Sequence, residues 1–467
     1  MAYINGTWLS GPAARAIPVI NPATEESFAE VVAAGPDDVN AAVAAARAAF
    51  PVWSRTSPAQ RATLLRDLAE HLNKQRDVIA ETIARDVGTP IKIAARVQAQ
   101  LPITVLHSYA DLLGEGDREE EIANTLVVRE PVGVVAAITP WNYPLHQIVA
   151  KVAPALAAGA TVVLKPSEVA PLAAHALIEA LESTGCPPGL VNLVHGTGPD
   201  VGRALVEHPD VDMVSFTGSV AAGSQVAEAA GRAIKRVTLE LGGKSANVIL
   251  PDADLATAVR AGVANAFLNG GQTCSAWTRM LVPDDQHDAA CAIAAAAAES
   301  FVMGDPMDPA TRLGPMVSRA QQQRVLEFID TGLREGAQLI TGGPSRPEGH
   351  QRGYFVRPTV LGRVDPDSTV AQEEIFGPVL SVIPYADEEH AIEIANNSRY
   401  GLHGAVWSSD GDRALAVARR LRTGAVDING AAYNPLAPFG GYKCSGVGRE
   451  LGRFGLEDYQ EIKAIQR

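Results

Sequence analysis

Paired cysteines are missing from this chain. It has only four, Cys186, Cys274, Cys291 and Cys444. None stands in a C-x-x-C pair and none has a His at zinc-finger spacing, which argues against a disulfide framework or a structural zinc site. Free thiols of this kind suit a reducing compartment. Long apolar runs are missing too, since none approaches the ~18 residues of a membrane span. The Ala-rich stretch Ala292–Ala298 is short and ends at Glu299. Met1 to Trp8 has neither a basic n-region nor an apolar h-region, so no signal peptide is expected. These readings predict a cytoplasmic protein. Basic residues are outnumbered, 39 against 53 acidic, leaving a net charge of −14. That balance argues against nucleic acid or an anionic membrane surface as partner. Internal repeats and low-complexity linkers are absent as well.

What remains is an ordinary globular composition, 47% hydrophobic and 20% charged. The 467 residues predict roughly two to three domains. Asn5-Gly6 marks a tight turn in a small β-like start. Pro36-Asp37-Asp38 signals a helix with Val39, Ala42, Val43, Ala46 and Phe50 on one face. Ser57-Pro58 opens a second helix as N-cap and first-turn proline, with Leu64, Leu65, Leu68 and Leu72 as its apolar stripe. A third helix runs to about Val87 and stops at Gly88. The acidic stretch Glu115–Glu121 and the run Thr125–Glu130 predict a strand pair outside the main sheet. It reads equally as a solvated hairpin or as a projecting arm used in assembly.

From Val132 the pattern changes. Apolar runs at Val134–Ile138, Thr161–Leu164, Val191–Val194 and Met213–Phe216 alternate with helical segments at Leu145–Ala157, Pro171–Ser183, Asp200–Glu207 and Gly223–Gly231. Continuous β-branched runs alternating with helices indicate a parallel sheet covered on both faces. Ligands bind such sheets at the carboxyl ends of the strands. The segments 139–142, 165–168, 196–202 and 217–223 are therefore the places to look. A second α/β segment begins near Gly242-Gly243, with strand-like pieces at Asn247–Leu250, Met280–Pro283, Val379–Ile383, Ala405–Trp407 and Ala425–Ile428. The Gly-rich run Pro438–Arg449 reads as a functional loop, because it carries aromatics and charges.

Several groups at these places could do chemistry, and each has a bland reading. Cys274 lies in Asn269-Gly-Gly-Gln-Thr-Cys-Ser275, where glycines permit close approach of a ligand. Cys is the most nucleophilic common side chain near neutral pH, yet free Cys is usually a small buried hydrophobe. Phe216-Thr217-Gly218-Ser219 is a strand, a glycine turn and a helix start, able to hold a pyrophosphate or to be an ordinary turn. Gly196-Thr197-Gly198 begins like a dinucleotide fingerprint without completing it. Lys165 and Glu168 at a strand end suit a ribose, and a carboxylate there favours NAD over NADP; the alternative is a surface ion pair. Asn142, between Pro140 and Pro144, has N–H donors for an oxyanion or is a turn Asn bonded to its own backbone. Glu240 beside Gly242-Gly243 suits a general base. Taken alone, it reads better as an exposed strand-end Glu.

Taken together, P-W-N-Y-P (Pro140–Pro144), K-P-S-E (Lys165–Glu168), F-T-G-S (Phe216–Ser219), L-E-L-G-G-K (Leu239–Lys244), G-Q-x-C (Gly271–Cys274), E-E-I-F-G-P (Glu373–Pro378) and P-F-G-G-Y-K-x-S-G-x-G-R-E (Pro438–Glu450) resemble the NAD(P)-dependent aldehyde dehydrogenase superfamily along essentially the whole chain. The resemblance implies an α/β fold with a Rossmann-like parallel-sheet cofactor domain (1–112 and 132–242), an α/β catalytic domain (243–454) and a β-strand oligomerisation arm (113–131 and 455–467). It implies a homodimer or homotetramer, with no metal. It implies that Cys274 is the nucleophile, Glu240 the base, and Asn142 the oxyanion donor together with the Cys274 backbone N–H. Lys151 and Glu450 match a pair that passes protons to the base. Lys165 and Glu374 hold the two ribose groups of NAD, Glu168 favours NAD, Trp141, Gly218 and Ser219 bracket the pyrophosphate, and Phe376 borders the nicotinamide ribose. Ile138, Thr139, Pro140, Ser167, Gly198, Phe216, Thr217 and Leu241 complete the expected cofactor contacts.

The expected chemistry is oxidation of an aldehyde to a carboxylic acid. A Cys274 thiolate adds to the carbonyl, hydride leaves the thiohemiacetal for NAD, and Glu240 activates water to hydrolyse the thioester. An unperturbed thiol is only a few per cent ionised at neutral pH. The site is therefore expected to lower the Cys274 pKa or to use Glu240 as proton acceptor. Two alternatives stand against this. A CoA-acylating relative lacks a glutamate at the Glu240 place, and a non-catalytic protein on the scaffold is expected to lose Cys274 or Glu240. On the substrate side, family members carry an aromatic residue where this chain has Ala150, which is expected to widen the channel. His146 and Gln147 add polar atoms. Tyr143, Tyr433 and Phe439 are expected as walls, with Thr273 and Ser275 flanking the sulfur. A bulky or medium-to-long aldehyde follows, of the kind handled by bacterial relatives acting on oxo-fatty acids or aryl and terpenoid aldehydes.

Overall fold

The computed structural model describes residues 1–9, 15–114 and 119–467. Its first sheet has eight strands, in the order Gly446–Val447, Arg236–Glu240, Met213–Thr217, Val134–Ile138, Thr161–Lys165, Val191–Leu193, Ala2–Ile4 and Thr7–Leu9. The strands from Arg236–Glu240 to Val191–Leu193 are mutually parallel. Every residue of Val134–Ile138, Thr161–Lys165 and Met213–Thr217 is buried. The side-chain period of two divides them cleanly. Val135 and Ala137 enter one apolar cluster, with the helices Pro58–Lys74, Pro144–Ala158 and Ala173–Thr184. Val134, Ala136 and Ile138 enter a second cluster on the opposite face, with Pro36–Trp53. This double coverage explains why the strands read as continuous apolar runs.

The second sheet has seven strands, in the order Gln338–Thr341, Thr359–Gly362, Val379–Tyr385, Arg279–Pro283, Ala246–Ile249, Gly404–Trp407 and Asp427–Ile428. All its pairings are parallel except the first. The third sheet joins Glu120–Ile122 and Thr125–Pro131 to the C-terminal strand Gln460–Gln466, in register from Gln460↔Pro131 to Gln466↔Thr125. The expected arm strand pair is therefore present, although residues 115–118 of the acidic stretch lie outside the described residues.

Local signals at the N-terminus hold. Asn5 and Gly6 take φ of 52° and 79° in the tight turn that pairs Ile4 with Thr7. Ser57 and Gln60 form a reciprocal capping box (3.3 and 2.9 Å), a contribution of about 1 kcal/mol.

Other elements differ from expectation. The helix Gln100–Gly114 was not anticipated, because Pro102 interrupts its pattern; the structure places that proline directly after a π-helical turn, inside a helical stretch that is continuous from Ile91. A π-helical turn, Ala94–Ala99, leads into it. The expected helix Asp200–Glu207 is divided between a π-helical turn, Gly198–Gly202, and a short α-helix, Arg203–Glu207. The strands Gln338–Thr341 and Thr359–Gly362 are too short to stand out as apolar runs. The run Pro438–Arg449 is more than a loop. Its Gly446–Val447 segment pairs antiparallel with Leu239–Glu240 and extends the first sheet.

Candidate active site

Cys274 lies beyond a sharp turn. After the helix Leu255–Ala266, three successive residues, Asn269, Gly270 and Gly271, take left-handed φ of 53°, 68° and 72°. A Cβ on Gly271 would stand 2.1 Å from the Gly377 carbonyl oxygen, and one on Gly243 would stand 2.3 Å from the Cys274 carbonyl oxygen. Only glycine lets these backbones touch, so the second sheet's loops press directly on the thiol segment.

Asn142 reaches the same turn from the carboxyl end of Val134–Ile138. Its Nδ2 donates to the Gln272 carbonyl (3.0 Å), and its own carbonyl accepts from Asn269 Nδ2 (2.9 Å). The self-satisfied turn reading of Asn142 is thereby replaced by a buried cross-link. One amide N–H is left for a ligand. Tyr143 packs beside it. Thr273 Oγ1 donates to the Leu268 carbonyl (3.1 Å), so the Tyr143 hydroxyl is the donor in its 2.9 Å contact with Thr273.

Glu240 ends the strand Arg236–Glu240, and it is 4% exposed. The exposed strand-end reading is therefore wrong: Gly446–Val447 and Gly440 cover it. A Cβ on Gly440 would fall 2.7 Å from Glu240 Oε1. Both carboxylate oxygens are buried with no hydrogen-bond partner among the described residues. Burial raises its pKa well above the carboxylate range, and Glu450 adds to the shift. Glu450 is paired with Lys151 at 2.5 Å, both buried. Phe439 and Glu450 exchange backbone hydrogen bonds of 2.8 and 2.7 Å, which brings the glycine-rich run over the base.

The Cys274 thiol does not take the first of the two expected routes, a lowered pKa. Burial pushes its pKa up, and the nearby carboxylates of Glu240 and Glu374 push it the same way, against a smaller opposing effect of the Ser275 backbone N–H. The protein's own groups do not ionise the thiol. Its proton must go to an acceptor, and Glu240 and Glu374, both raised by burial, are carboxylates that act on it.

Two recesses flank the Phe216–Ser219 turn at the carboxyl ends of the parallel strands. One, of about 530 Å³, holds Cys274 with Trp141, Asn142, Gln147, Gly218, Glu374 and Phe376 in its wall; Pro140, Thr217, Ser219 and Leu241 also line it. The other, of about 470 Å³, is lined by Ile138, Gly198 and Phe216. Trp141 and Phe376 meet edge to face at 5.4 Å. Glu374 Oε1 accepts from the Gly243 N–H at 2.9 Å, and burial pushes its pKa up to about 7. Lys165 is buried, which lowers its pKa; its Nζ donates to the Pro166 carbonyl (2.9 Å) and to Glu168 Oε2 (3.2 Å). Its burial removes the surface ion-pair reading. Thr139 and Thr217 bury hydroxyls with no partner among the described residues. Ser167 Oγ accepts from the Val169 N–H, and Ser219 Oγ caps the helix Val220–Arg232 through the Ala222 N–H. Ser219 Oγ is the acceptor in that cap, which leaves its O–H proton available to a ligand.

The expected substrate residues are less uniform. His146 Nδ1 and Gln147 Oε1 are buried without partners among the described residues. Burial, with Lys151 nearby, pushes the His146 pKa down to about 4, so the ring is neutral. Ala150 is fully buried in the core of the helix Pro144–Ala158. Tyr433 is 48% exposed, an open wall at most.

Sequence reading missed the residues that hold this site together. Gln321 Nε2 donates to the Phe376 carbonyl (2.8 Å), and Arg324 Nη2 to the Glu374 carbonyl (2.8 Å). Both come from the helix Arg319–Arg334, whose sequence marks only an amphipathic surface helix.

The chain is similar to known proteins along its whole length. The family model described as Aldehyde dehydrogenase family matches residues 8–465. A Pseudomonas sp protein named 3-succinoylsemialdehyde-pyridine dehydrogenase is 50% identical over 464 residues, 99% of this chain and 97% of that one. A putative aldehyde dehydrogenase of Staphylococcus aureus (strain bovine RF122 / ET3-1) is 44% identical, covering 99% and 98%. Among solved structures, a variant of aldehyde dehydrogenase C from Pseudomonas syringae in complex with NAD+ and octanal superposes with a TM-score of 0.98 at 48% identity, covering 100% of this chain and 96% of that one. A Mycobacterium tuberculosis aldehyde dehydrogenase with NAD+ gives 0.97 at 42%, covering 99% and 97%.

Proposed function

The chain belongs to the aldehyde dehydrogenase family and is an NAD-dependent oxidoreductase of aldehydes, and within that activity we propose that Cys274 is the nucleophile, Glu240 the base and Asn142 the oxyanion donor, with a bulky or medium-to-long aldehyde as substrate. The observation that carries this reading is a thiol sharing one recess with an amide donor, beside a buried carboxylate with both oxygens free.

The residues fit the cofactor. Two recesses either side of a strand-to-helix turn match the two halves of a dinucleotide. The unpartnered Thr139 and Thr217 hydroxyls, the Glu374 carboxylate and Lys165 beside Glu168 supply polar contacts. We assign Lys165 and Glu374 to the ribose hydroxyls and Trp141, Gly218 and Phe376 to the walls. Bound NAD supplies the acceptor for hydride.

The side chains do the rest. Cys274 Sγ forms a bond to the aldehyde carbon as its proton passes to Glu240. Asn142 Nδ2 and the Cys274 backbone N–H hold the resulting oxyanion, and each such donor is typically worth ~3–4 kcal/mol in the transition state. Once the carbon is oxidised, a thioester remains on Cys274. Glu240 gives up that first proton before it takes one from water, whose oxygen attacks the thioester and releases the acid as the Cys274 sulfur leaves. The Lys151–Glu450 pair provides the route by which Glu240 returns its proton.

On the substrate side, Ala150 adds no bulk to its helix, and His146 and Gln147 keep buried polar atoms unpartnered. The relatives point the same way, one named for a pyridine semialdehyde and one bound to octanal. NADH absorbance over an aldehyde panel tests this. The expected order of kcat/KM is octanal and benzaldehyde above acetaldehyde, and the reverse order contradicts the proposed substrate class.

We further propose the division into cofactor, catalytic and arm regions given above, a cytoplasmic location and a dimer or tetramer. Among the described residues no helix is long and apolar enough to cross a membrane. The strand Gln460–Gln466 is the edge of its sheet, with Ile462 70% exposed, and a bare strand edge pairs readily with a second copy. Sedimentation at micromolar concentration should give a dimer or tetramer; a monomer contradicts the arm's role.

A further inference from the structure

A chain of buried side chains runs from outside the recess to Asn142. Gln98, in the π-helical turn Ala94–Ala99, donates from Nε2 to Thr89 Oγ1 at 2.8 Å. Thr89 Oγ1 donates to Asn269 Oδ1 at 2.6 Å. Asn269 Nδ2 then donates to the Asn142 carbonyl at 2.9 Å and reaches the Gln272 carbonyl at 3.4 Å. None of the four is more than 3% exposed. The donor directions are fixed by chemistry. A hydroxyl that accepts from an amide has its own proton free for the Asn269 oxygen, and this leaves the Asn269 nitrogen facing two carbonyls. A flipped Asn269 would set oxygen against oxygen at both.

The turn that carries Thr89 is itself clamped. Gly88 has φ 86°, and a Cβ there would meet Pro315 at 2.9 Å and Pro22 at 3.0 Å. Gln98 keeps Oε1 buried with no partner among the described residues. That cost is tolerated so that its nitrogen can point at Thr89. A π-helical turn adds a residue to the helical repeat and re-aims side chains, and such turns occur often at functional sites.

We propose that Gln98 and Thr89 are positioning residues for the oxidation step: through Asn269 they hold the Asn142 amide at the place where the oxyanion forms. This rests on the reading of Asn142 as the oxyanion donor, so Asn142→Ala is the reference variant. Its kcat should fall about 100- to 1,000-fold.

Thr89→Val removes the hydroxyl at nearly constant volume. Its kcat should fall about 10- to 100-fold, the scale on which small misplacement acts, with the KM for NAD unchanged. Thr89→Ser keeps the hydroxyl and should retain kcat within about twofold at an equal Tm. A Thr89→Val enzyme with wild-type kcat, beside an impaired Asn142→Ala enzyme, overturns the positioning role alone. So does a Thr89→Ser enzyme as slow as Thr89→Val at the same Tm. Wild-type kcat in Asn142→Ala overturns the Asn142 reading beneath it. If Thr89→Val does not fold, Gln98→Met gives the same test: a kcat loss with constant KM supports the proposal, and wild-type kcat overturns it.

Discussion

Cys274→Ser should lower kcat by about four orders of magnitude or more, the scale of losing a nucleophile outright. A hydroxyl has nearly the shape of a thiol but holds its proton far more tightly. In a site where burial already raises the proton affinity of the sulfur, an alcohol has no comparable path to an anion. NAD should still bind, because Cys274 lines only the first recess and the substitution leaves Lys165, Glu168 and the second recess intact. The check is NADH production beside NAD affinity by titration of protein fluorescence. The other thiols serve as controls. Cys291 is buried against His287, and Cys444 is exposed; serine at Cys444 should leave turnover unchanged. Substantial turnover by Cys274→Ser would mean that addition to the carbonyl does not run through sulfur.

Glu240→Gln should lower steady-state kcat by about 100- to 10,000-fold, the range of a lost general base. The two half-reactions should separate. Thioester hydrolysis loses the carboxylate proposed to activate water, while Glu450 is held by Lys151 and Glu374 accepts from the Gly243 N–H. Oxidation needs only that the thiol lose a proton, which hydroxide can take at higher pH. The variant should therefore release one equivalent of NADH per active site in a first turnover and then stall. That burst should quicken as pH rises, because the raised Cys274 pKa leaves more of the thiol protonated at neutral pH. Stopped-flow absorbance reads both phases. A steady state with no burst would place Glu240 in oxidation alone.

The parts of this site that follow a repeating physical rule were legible in the sequence. Strands buried on both faces read as the runs at 134–138, 161–164 and 213–216, and the ligand recesses open at their carboxyl ends. Ser57-Pro58, Asn5-Gly6 and Gly88 spelled out their own local geometry. What stayed hidden depends on distant contacts. Glu240 looked exposed because its cover comes from Gly440 and Gly446–Val447, some two hundred residues further along the chain. The Cys274 shift comes first from burial and then from the carboxylates of Glu240 and Glu374, and no local pattern brings these together. Gln98 and Thr89 lay in a stretch whose helix was masked by Pro102, and their role appears only once Asn269 is folded against them.

The central claim is that one sulfur carries the acyl group between two chemical steps. The direct measurement is peptide mass analysis of Glu240→Gln quenched after a single turnover with octanal and NAD. The account predicts an octanoyl mass on the peptide containing Cys274, in amount equal to the NADH formed. NADH formation without that adduct, or the adduct on Cys186, Cys291 or Cys444, would contradict it.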